Sequence, residues 1–210
     1  MSVLGQAARI TQNQSSIYIT FDDGPHPSVT PAVCEILREH SALATFFQIG
    51  RFAKEYPSIS RQCQLDGHAI GNHTFDHPNL QDRAGEEVEY QISSAQKCLE
   101  HICGRGFVRH FRAPYGAWST QILNVVNKIG LRPVSWSVDP RDWEAPRIEN
   151  LINEILDNAR PGSIILLHDG CPPDEAAMWD VRGGRAQTLA ALRYVVPALQ
   201  ARGFALQPLP

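Results

Sequence analysis

The sequence predicts an α/β fold built from parallel strands, and three observations support this prediction. Short apolar segments alternate with longer amphipathic segments about seven times along the 210 residues. Such alternation is typical of strands joined by crossover helices. Most side chains with catalytic chemistry directly follow the short apolar segments, where active sites form in α/β folds. These observations leave two architectures open, an open doubly wound sheet and a closed (β/α) barrel.

The predicted strands are short apolar segments bounded by Gly, Pro or polar residues. The first, at 16–21, reads SIYITF. The sixth, at 163–167, reads SIILL and is apolar enough to be buried on both faces. The remaining strands are predicted at 44–49, 68–72, 107–111, 133–138 and 204–209.

The predicted helices carry apolar residues at steps of three and four, which form one stripe on a helix. Thr30 is a candidate N-cap for a helix over 31–40, with Pro31 at its first position. The longest helix is predicted at 85–102. Its apolar stripe consists of Val88, Ile92, Ala95, Leu99 and Ile102. The other helices are predicted at 56–66, 119–129, 147–159 and 188–201.

Composition indicates a globular protein without a nucleic-acid or membrane partner. Apolar residues make up 43% of the chain, which is enough for a packed core. The net charge of −3 gives no basic surface for nucleic acid, and no run of 18 apolar residues predicts a membrane span. No obligate protein partner is evident. We expect an extension over 1–15 and one domain over 16–210.

Two features of the sequence predict a cytoplasmic location. The N-terminus reads MSVLGQAARITQNQSS and has no basic segment followed by a long apolar one, so no secretory signal is expected. The five cysteines are odd in number and form no C-x-x-C pair. We therefore expect thiols in a reducing compartment rather than a disulfide framework.

The segments TFDDGP and HTFDH contain the residue types of a metal site. Asp22 and Asp23 follow the first strand, and His73 and His77 follow the third. Histidines at i and i+4 lie on one face of a helical turn, which suits binding of one metal ion. Two histidines and one aspartate leave a coordination position open, as is typical of a catalytic site. The other aspartate is then a candidate general base.

Three further segments, RAPYG, DPRDW and LLHDG, follow the fourth, fifth and sixth strands. Arg112 can orient a carboxylate, and backbone N–H groups of the Pro-Tyr-Gly turn can bind an oxyanion. His168 becomes a candidate general acid if a carboxylate such as Asp142 pairs with it. Trp143 can form a wall for a sugar ring.

Two other classes of protein fit parts of this pattern. Two histidines and one carboxylate also form the facial triad of non-haem iron oxygenases. That chemistry does not require Asp22 or the pair Asp142 and His168. A carbohydrate-binding module without catalysis would not require Asp22 or His168 either. A metal-dependent hydrolase would use all of these residues, with one aspartate as the base for metal-bound water and His168 as the acid.

The five segments TFDDGP, HTFDH, RAPYG, DPRDW and LLHDG, in this order, resemble the motifs of the polysaccharide deacetylase family. This family is carbohydrate esterase family four and contains the NodB homology domain. The segments VRHFRAPYGAW, WSVDPRDW, HDGCPPDE and VVPALQARGF are most similar to its chitooligosaccharide deacetylases. The resemblance implies a distorted (β/α) barrel of about seven parallel strands rather than an open sheet.

The resemblance also implies a role for each residue that matches the family motifs. Asp23, His73 and His77 match the metal ligands. Asp22 matches the general base, and Arg112 matches the residue that positions it.

The remaining matches concern the general acid and the acetyl pocket. His168 matches the general acid, and Asp142 matches the carboxylate that tunes it. The backbone N–H of Tyr115 matches the oxyanion donor. Trp143 and Leu166 match the walls of the acetyl pocket.

The implied reaction removes N-acetyl groups from N-acetylglucosamine oligomers and releases acetate. The similarity to chitooligosaccharide deacetylases favours a chitooligosaccharide substrate attacked at its non-reducing end. A peptidoglycan N-acetylglucosamine deacetylase is the alternative. One divalent metal ion is expected, zinc in the first place, although cobalt, nickel and manganese also suit two histidines and one carboxylate.

Overall fold

In a computed structural model, which describes residues 15–179 and 184–210, short strands alternate with helices along the chain. Within these residues the strands are β1 (Ser16–Asp22), β2 (Thr45–Gln48), β3 (Ala69–Asn72), β4 (His110–Phe111), β5 (Arg132–Pro133), β6 (Ile164–His168) and β7 (Ala205–Leu206). The helices are α1 (Val29–Glu39), α2 (Gly50–Glu55), α3 (Pro57–Leu65), α4 (Gly85–Cys103), α5 (Thr120–Ile129), α6 (Ile148–Asn158) and α7 (Ala186–Ala201).

The described strands form one parallel sheet in the order β5-β4-β3-β2-β1-β6, and β7 pairs with the start of β1. Its register brings the strand ends to a common level. Asp22 lies opposite His168, and Asn72 lies opposite Phe111. The residues that follow these strands therefore meet at one edge of the sheet, where active sites form in parallel α/β proteins.

The sheet curls into a distorted barrel because the segment after β5 crosses from one of its edges to the other. Arg132 and Pro133 pair with β4, whereas Val138 bridges to Ile165 of β6. The prediction of one continuous strand over 133–138 is therefore wrong, since only the two ends of this segment pair with strands. The predicted barrel of about seven parallel strands is confirmed, with this irregular segment completing it.

Helices pack around the sheet through the apolar stripes that the sequence predicts. All five stripe residues of α4 are at most 5% exposed. Phe21, Phe46 and Ile165 extend the core on the sheet. Burial of these apolar side chains stabilises the folded state by about 25 cal/mol per Å² of apolar surface removed from water. None of the described helices is long and apolar enough to cross a membrane.

Two local predictions about the helices differ from the structure. The helix α2 was not expected, because its six residues are too short to show an apolar period. Thr30 is not an N-cap, since α1 begins at Val29 and its N-cap is Ser28. The Thr30 hydroxyl instead donates to Asp169, at 2.5 Å, and accepts from the backbone N–H of His26. The predicted extension over 1–15 lies outside the described residues, apart from residue 15.

Candidate active site

A cavity of about 240 Å³ opens at the carboxyl edge of the sheet. Eight of the ten predicted site residues line it, and the two others, Arg112 and Asp142, lie behind the wall. The eight are Asp22, Asp23, His73, His77, Tyr115, Trp143, Leu166 and His168. The structure thus brings all five motifs to one place.

Asp22 and Asp23 both border the cavity although they are adjacent in sequence. Neighbouring side chains on a regular strand would point to opposite faces. Here the strand ends at Asp22, and Asp23 has a φ of +73°, which turns the chain out of the extended conformation. Gly24 completes the turn, since a Cβ at this position would lie 2.5 Å from the carboxylate oxygens of Asp169.

His73 and His77 converge without the helical turn that their spacing predicts. Thr74 and His77 have φ values of +66° and +64°, and no helix covers this segment. Side chains hold this bend. The hydroxyl of Thr74 accepts from the backbone N–H of His77, and the side-chain carbonyl of Gln91 on α4 accepts from those of Phe75 and Asp76.

The ligand atoms of Asp23, His73 and His77 fit a metal ion. The Oδ1 atom of Asp23 lies 3.5 Å from His73 Nε2 and 3.3 Å from His77 Nε2. Tetrahedral zinc with bonds of about 2.0–2.1 Å separates its ligands by roughly 3.3–3.4 Å. His73 Nδ1 donates to the carbonyl of Arg112 at 2.8 Å, so its Nε2 is left with a lone pair. Asp23 Oδ1 is buried and accepts no hydrogen bond from the described residues.

The protonation states of two of these residues also suit metal binding. Burial opposes ionisation of Asp23, but the adjacent histidines outweigh it and hold the pKa of this carboxyl well below its usual range. Burial lowers the pKa of His77 to about 4, so its ring is neutral at pH 7. An ionised carboxylate and a neutral imidazole are the forms that bind metals.

Arg112 crosses the barrel interior and holds Asp22. Its guanidinium is fully buried and donates from Nη1 to Asp22 Oδ1 at 2.7 Å and to the hydroxyl of Thr20 at 2.8 Å. It also donates to the carbonyl of Ser135 and lies 4.1 Å from the centre of the Phe47 ring. These contacts fix one oxygen of Asp22 and leave Oδ2 at the cavity, 3.7 Å from His73 Nε2.

His168 and Asp142 form a hydrogen-bonded pair on the opposite wall. His168 Nδ1 lies 2.6 Å from Asp142 Oδ1, and the His168 backbone N–H donates to Asp142 Oδ2. Burial alone would lower the pKa of His168, but the charge and hydrogen bond of Asp142 outweigh it and raise the pKa to about 9. The imidazole is therefore protonated at pH 7, as a general acid must be.

Aromatic side chains form a further part of the cavity wall. Tyr115 is 51% exposed, has a φ of +58°, and donates its hydroxyl to Asp174 at 2.9 Å. Trp143 and Leu166 line the cavity as expected. Trp136 also lines it, although no pattern in the sequence distinguishes this tryptophan from those of the core or rim.

Sequence reasoning missed two residues at the start of α7. Thr188 is fully buried and donates to Asp142 Oδ2 at 2.7 Å. Arg185 donates from Nε to the carbonyl of Gly170 and also lines the cavity. Gly170 packs so closely on Asp23 that a Cβ there would lie 2.0 Å from its carbonyl oxygen. Neither Thr188 nor Arg185 lies near a predicted motif, so no local sequence signal identifies them.

The pair of His168 and Asp142 predicts a pH-dependent stability. A histidine whose pKa rises from 6.5 to about 9 stabilises the fold fully below pH 6.5 and loses this contribution as the pH rises through 9. The difference amounts to about 3 kcal/mol at 1.36 kcal/mol per pH unit. We expect Asp142→Asn to remove this dependence.

The measurement is urea unfolding of the metal-free wild type and Asp142→Asn between pH 6 and 10. The pKa values of Asp169 and Cys34 also shift into this range, so the difference between the two proteins is the relevant quantity. This difference should shrink as the pH rises through 9. A constant difference would contradict the assignment.

Comparisons with known proteins agree with the motifs. Residues 9–134 match the polysaccharide deacetylase family. The chain is 49% identical over 195 residues to a chitooligosaccharide deacetylase of Sinorhizobium fredii, covering 93% of this chain and 90% of the relative. It is 36% identical over 197 residues to a peptidoglycan-N-acetylglucosamine deacetylase of Bacillus cereus, covering 93% and 86%.

The fold is shared with a solved structure of similar sequence. The crystal structure of the Bc1960 peptidoglycan N-acetylglucosamine deacetylase matches with a TM-score of 0.86 and 33% identity, over 95% of this chain and 88% of that one. Sequence and fold therefore agree over nearly the whole chain, and the protein belongs to the polysaccharide deacetylase family.

Proposed function

We propose that this protein is a metal-dependent deacetylase that removes the N-acetyl group from N-acetylglucosamine residues of chitooligosaccharides, at the non-reducing end, and releases acetate. The observation that carries the proposal is the convergence of three units on one cavity. These are the acceptor Asp22, the candidate ligand set Asp23, His73 and His77, and the donor His168. The 49% identity to a chitooligosaccharide deacetylase supports the choice of substrate.

Asp22 acts as the general base. Arg112 occupies its Oδ1, so the free Oδ2 takes the proton from the attacking water. The buried guanidinium also keeps the carboxylate oriented while the water moves toward the carbonyl carbon. A base held in this way typically contributes about 10²- to 10⁴-fold to the rate.

Asp23, His73 and His77 would hold the metal ion, and we propose zinc. When bound, such an ion polarises the acetyl carbonyl and lowers the pKa of water. The chain itself supplies two neighbouring groups. Asp22 receives the proton, and the backbone N–H of Tyr115 donates to the developing oxyanion. One oxyanion donor is worth about 3 kcal/mol.

His168 acts as the general acid for the departing amine. Its Nδ1 is bound to Asp142, so Nε2 is the nitrogen that can give a proton at the cavity. Thr188 and the His168 backbone both bind Asp142 Oδ2, which holds the carboxylate in one orientation. Because His168 protonates the departing nitrogen, the amine leaves in its neutral form. Acetate is the second product.

The size of the cavity suits one acetylated sugar. Its volume of about 240 Å³ is below the roughly 300–1,000 Å³ of pockets that enclose drug-sized ligands. We infer that the enclosed space takes the acetamido group, with Leu166 beside the methyl group. The half-buried rings of Trp143 and Trp136 would then contact the sugar face, and the other sugars would lie outside.

Deacetylation of peptidoglycan N-acetylglucosamine is the second candidate. The Bacillus cereus relative and the Bc1960 structure carry that name, at 36% and 33% identity. Both substrates present the same acetamido group, so the cavity chemistry does not distinguish them. The higher identity to the chitooligosaccharide deacetylase favours the first candidate.

The test is acetate release from chitin tetramer and pentamer by metal-free protein and by protein with zinc restored. Mass spectrometry of fragments locates the free amine. We expect zinc-dependent release of one acetate from the non-reducing sugar. Release at several positions would contradict the end specificity only. Activity on peptidoglycan fragments with none on chitin oligomers would favour the second candidate.

A further inference from the structure

Two thiols lie in contact in a surface groove that is separate from the cavity lined by the metal ligands. Cys34 on α1 and Cys63 on α3 have their sulfur atoms 3.5 Å apart. Both line a groove of about 310 Å³ between these helices, together with Pro31, Ile59, Gln62 and Asp66. Cys34 is 9% exposed and Cys63 is 1% exposed, so Cys34 is the more accessible of the two residues.

The surroundings give the two sulfurs different protonation states. The hydrogen bond from Cys63 and the contact with His68 lower the pKa of Cys34 to about 6. His68 Nδ1 accepts from the backbone N–H of Ala44, so its proton is on Nε2, which can donate to a thiolate. The same contact with Cys34, together with burial, raises the pKa of Cys63. A thiolate in contact with a thiol has the arrangement of an attacking and a resolving cysteine.

Two other thiols of the chain lack this arrangement. Cys103 lies 4.0 Å from the carbonyl of Ser60, and Cys98 lies 3.5 Å from the carbonyl of Gly50. Burial raises the pKa of both. They therefore serve as internal references for a neutral, unreactive cysteine.

We propose that Cys34 and Cys63 form a modification site at which a hydroperoxide oxidises the pair to a disulfide. The Cys34 thiolate attacks the terminal peroxide oxygen, the O–O bond breaks, and an alcohol or water leaves with one proton. The resulting sulfenic acid is attacked by the Cys63 sulfur, the S–O bond breaks, and water leaves with the Cys63 proton. Overall, two thiols lose two electrons and two protons, and the peroxide takes them up.

Oxidation of the folded wild-type protein with hydrogen peroxide tests the proposal. Remaining thiols are blocked with iodoacetamide under denaturing conditions, and the protein is digested with trypsin without reduction. We expect a cross-link between the peptide that ends at Arg38 and the peptide that begins at Gln62, with Cys98 and Cys103 alkylated. Alkylation of both Cys34 and Cys63, as in the untreated protein, would overturn the proposal. The readout is independent of deacetylase activity.

Two variants sharpen the result. Cys63→Ser removes the resolving thiol, so Cys34 should stop at sulfenic acid and react with dimedone. Cys98→Ser is the matched control and should keep the cross-link. A cross-link from Cys34 to Cys98 or Cys103, or dimedone labelling of Cys98 in place of Cys34, would contradict the assignment.

Discussion

Replacing Asp22 by Asn is expected to slow deacetylation by about 10²- to 10⁴-fold, the range that a general base contributes. The amide of Asn keeps an oxygen that can accept from Arg112, so the contact at 2.7 Å can persist. The amide cannot take a proton from water. The measurement is kcat for acetate release from a chitin oligomer at saturating zinc.

The same substitution is expected to destabilise the protein. Arg112 is 0% exposed, and Asp22 is its carboxylate partner in the barrel. Removing one member of a buried ion pair typically costs about 3–5 kcal/mol, because the other charge stays buried without compensation. Kinetics should therefore be measured well below the melting temperature of the variant, which thermal unfolding gives.

Asp23→Asn is the matched control, since it makes the same exchange of one carboxylate oxygen for an NH2 group at the neighbouring residue. Asp23 is the aspartate whose Oδ1 lies between the two histidines. We expect Asp23→Asn to lose both zinc and activity, and Asp22→Asn to lose activity while it keeps zinc. Wild-type kcat in Asp22→Asn would remove Asp22 as the base. Loss of zinc in Asp22→Asn would place it among the ligands instead.

The meeting of Asp22 and His168 at one site is predictable from the sequence. Each ends a short apolar strand, and the parallel register sets the two residues opposite each other. The position of each motif in the sequence therefore also marks the end of a strand. The same reasoning holds for Arg112, which directly follows Phe111 of β4. Strand ends predict the site because parallel strands share one carboxyl edge.

The local backbone at the site is not predictable in this way. The spacing of His73 and His77 predicts a helical turn, yet two positive φ values and three side-chain acceptors produce the convergence. The acceptors are Asn72, Thr74 and Gln91. One of these acceptors, Gln91, belongs to α4, which lies further along the chain. A conformation held by such distant contacts leaves no periodic signal in its own segment.

Residues that act through non-local contacts were missed for the same reason. Thr188 lies 46 positions from Asp142 in sequence but donates to it at 2.7 Å. The segment over 133–138 reads as one strand by composition, yet its ends pair with strands on opposite edges of the sheet. Barrel closure depends on the whole sheet. The segment over 133–138 that completes the barrel therefore pairs with strands only at its two ends.

Replacing His168 by Ala is expected to slow amide cleavage far more than cleavage of an activated acetyl ester. An amine is a poor leaving group unless it is protonated, whereas nitrophenolate leaves without help. We expect about a 10²- to 10⁴-fold loss of kcat on the chitin oligomer and a much smaller loss on 4-nitrophenyl acetate. The measurement is the ratio of the two rates in wild type and variant.

Two further variants distinguish the loss of a proton donor from a change in the shape of the cavity. Asp142→Asn keeps the side-chain volume but removes the charge that raises the pKa of His168, so it should shift the ratio in the same direction. Changing the exposed His101 to Ala should leave both rates unchanged. Equal loss on both substrates in His168→Ala would mean that His168 shapes the cavity rather than donating a proton. A selective loss on the amide requires a donor at the amine, and the only described imidazole at the cavity that is paired with Asp142 is His168.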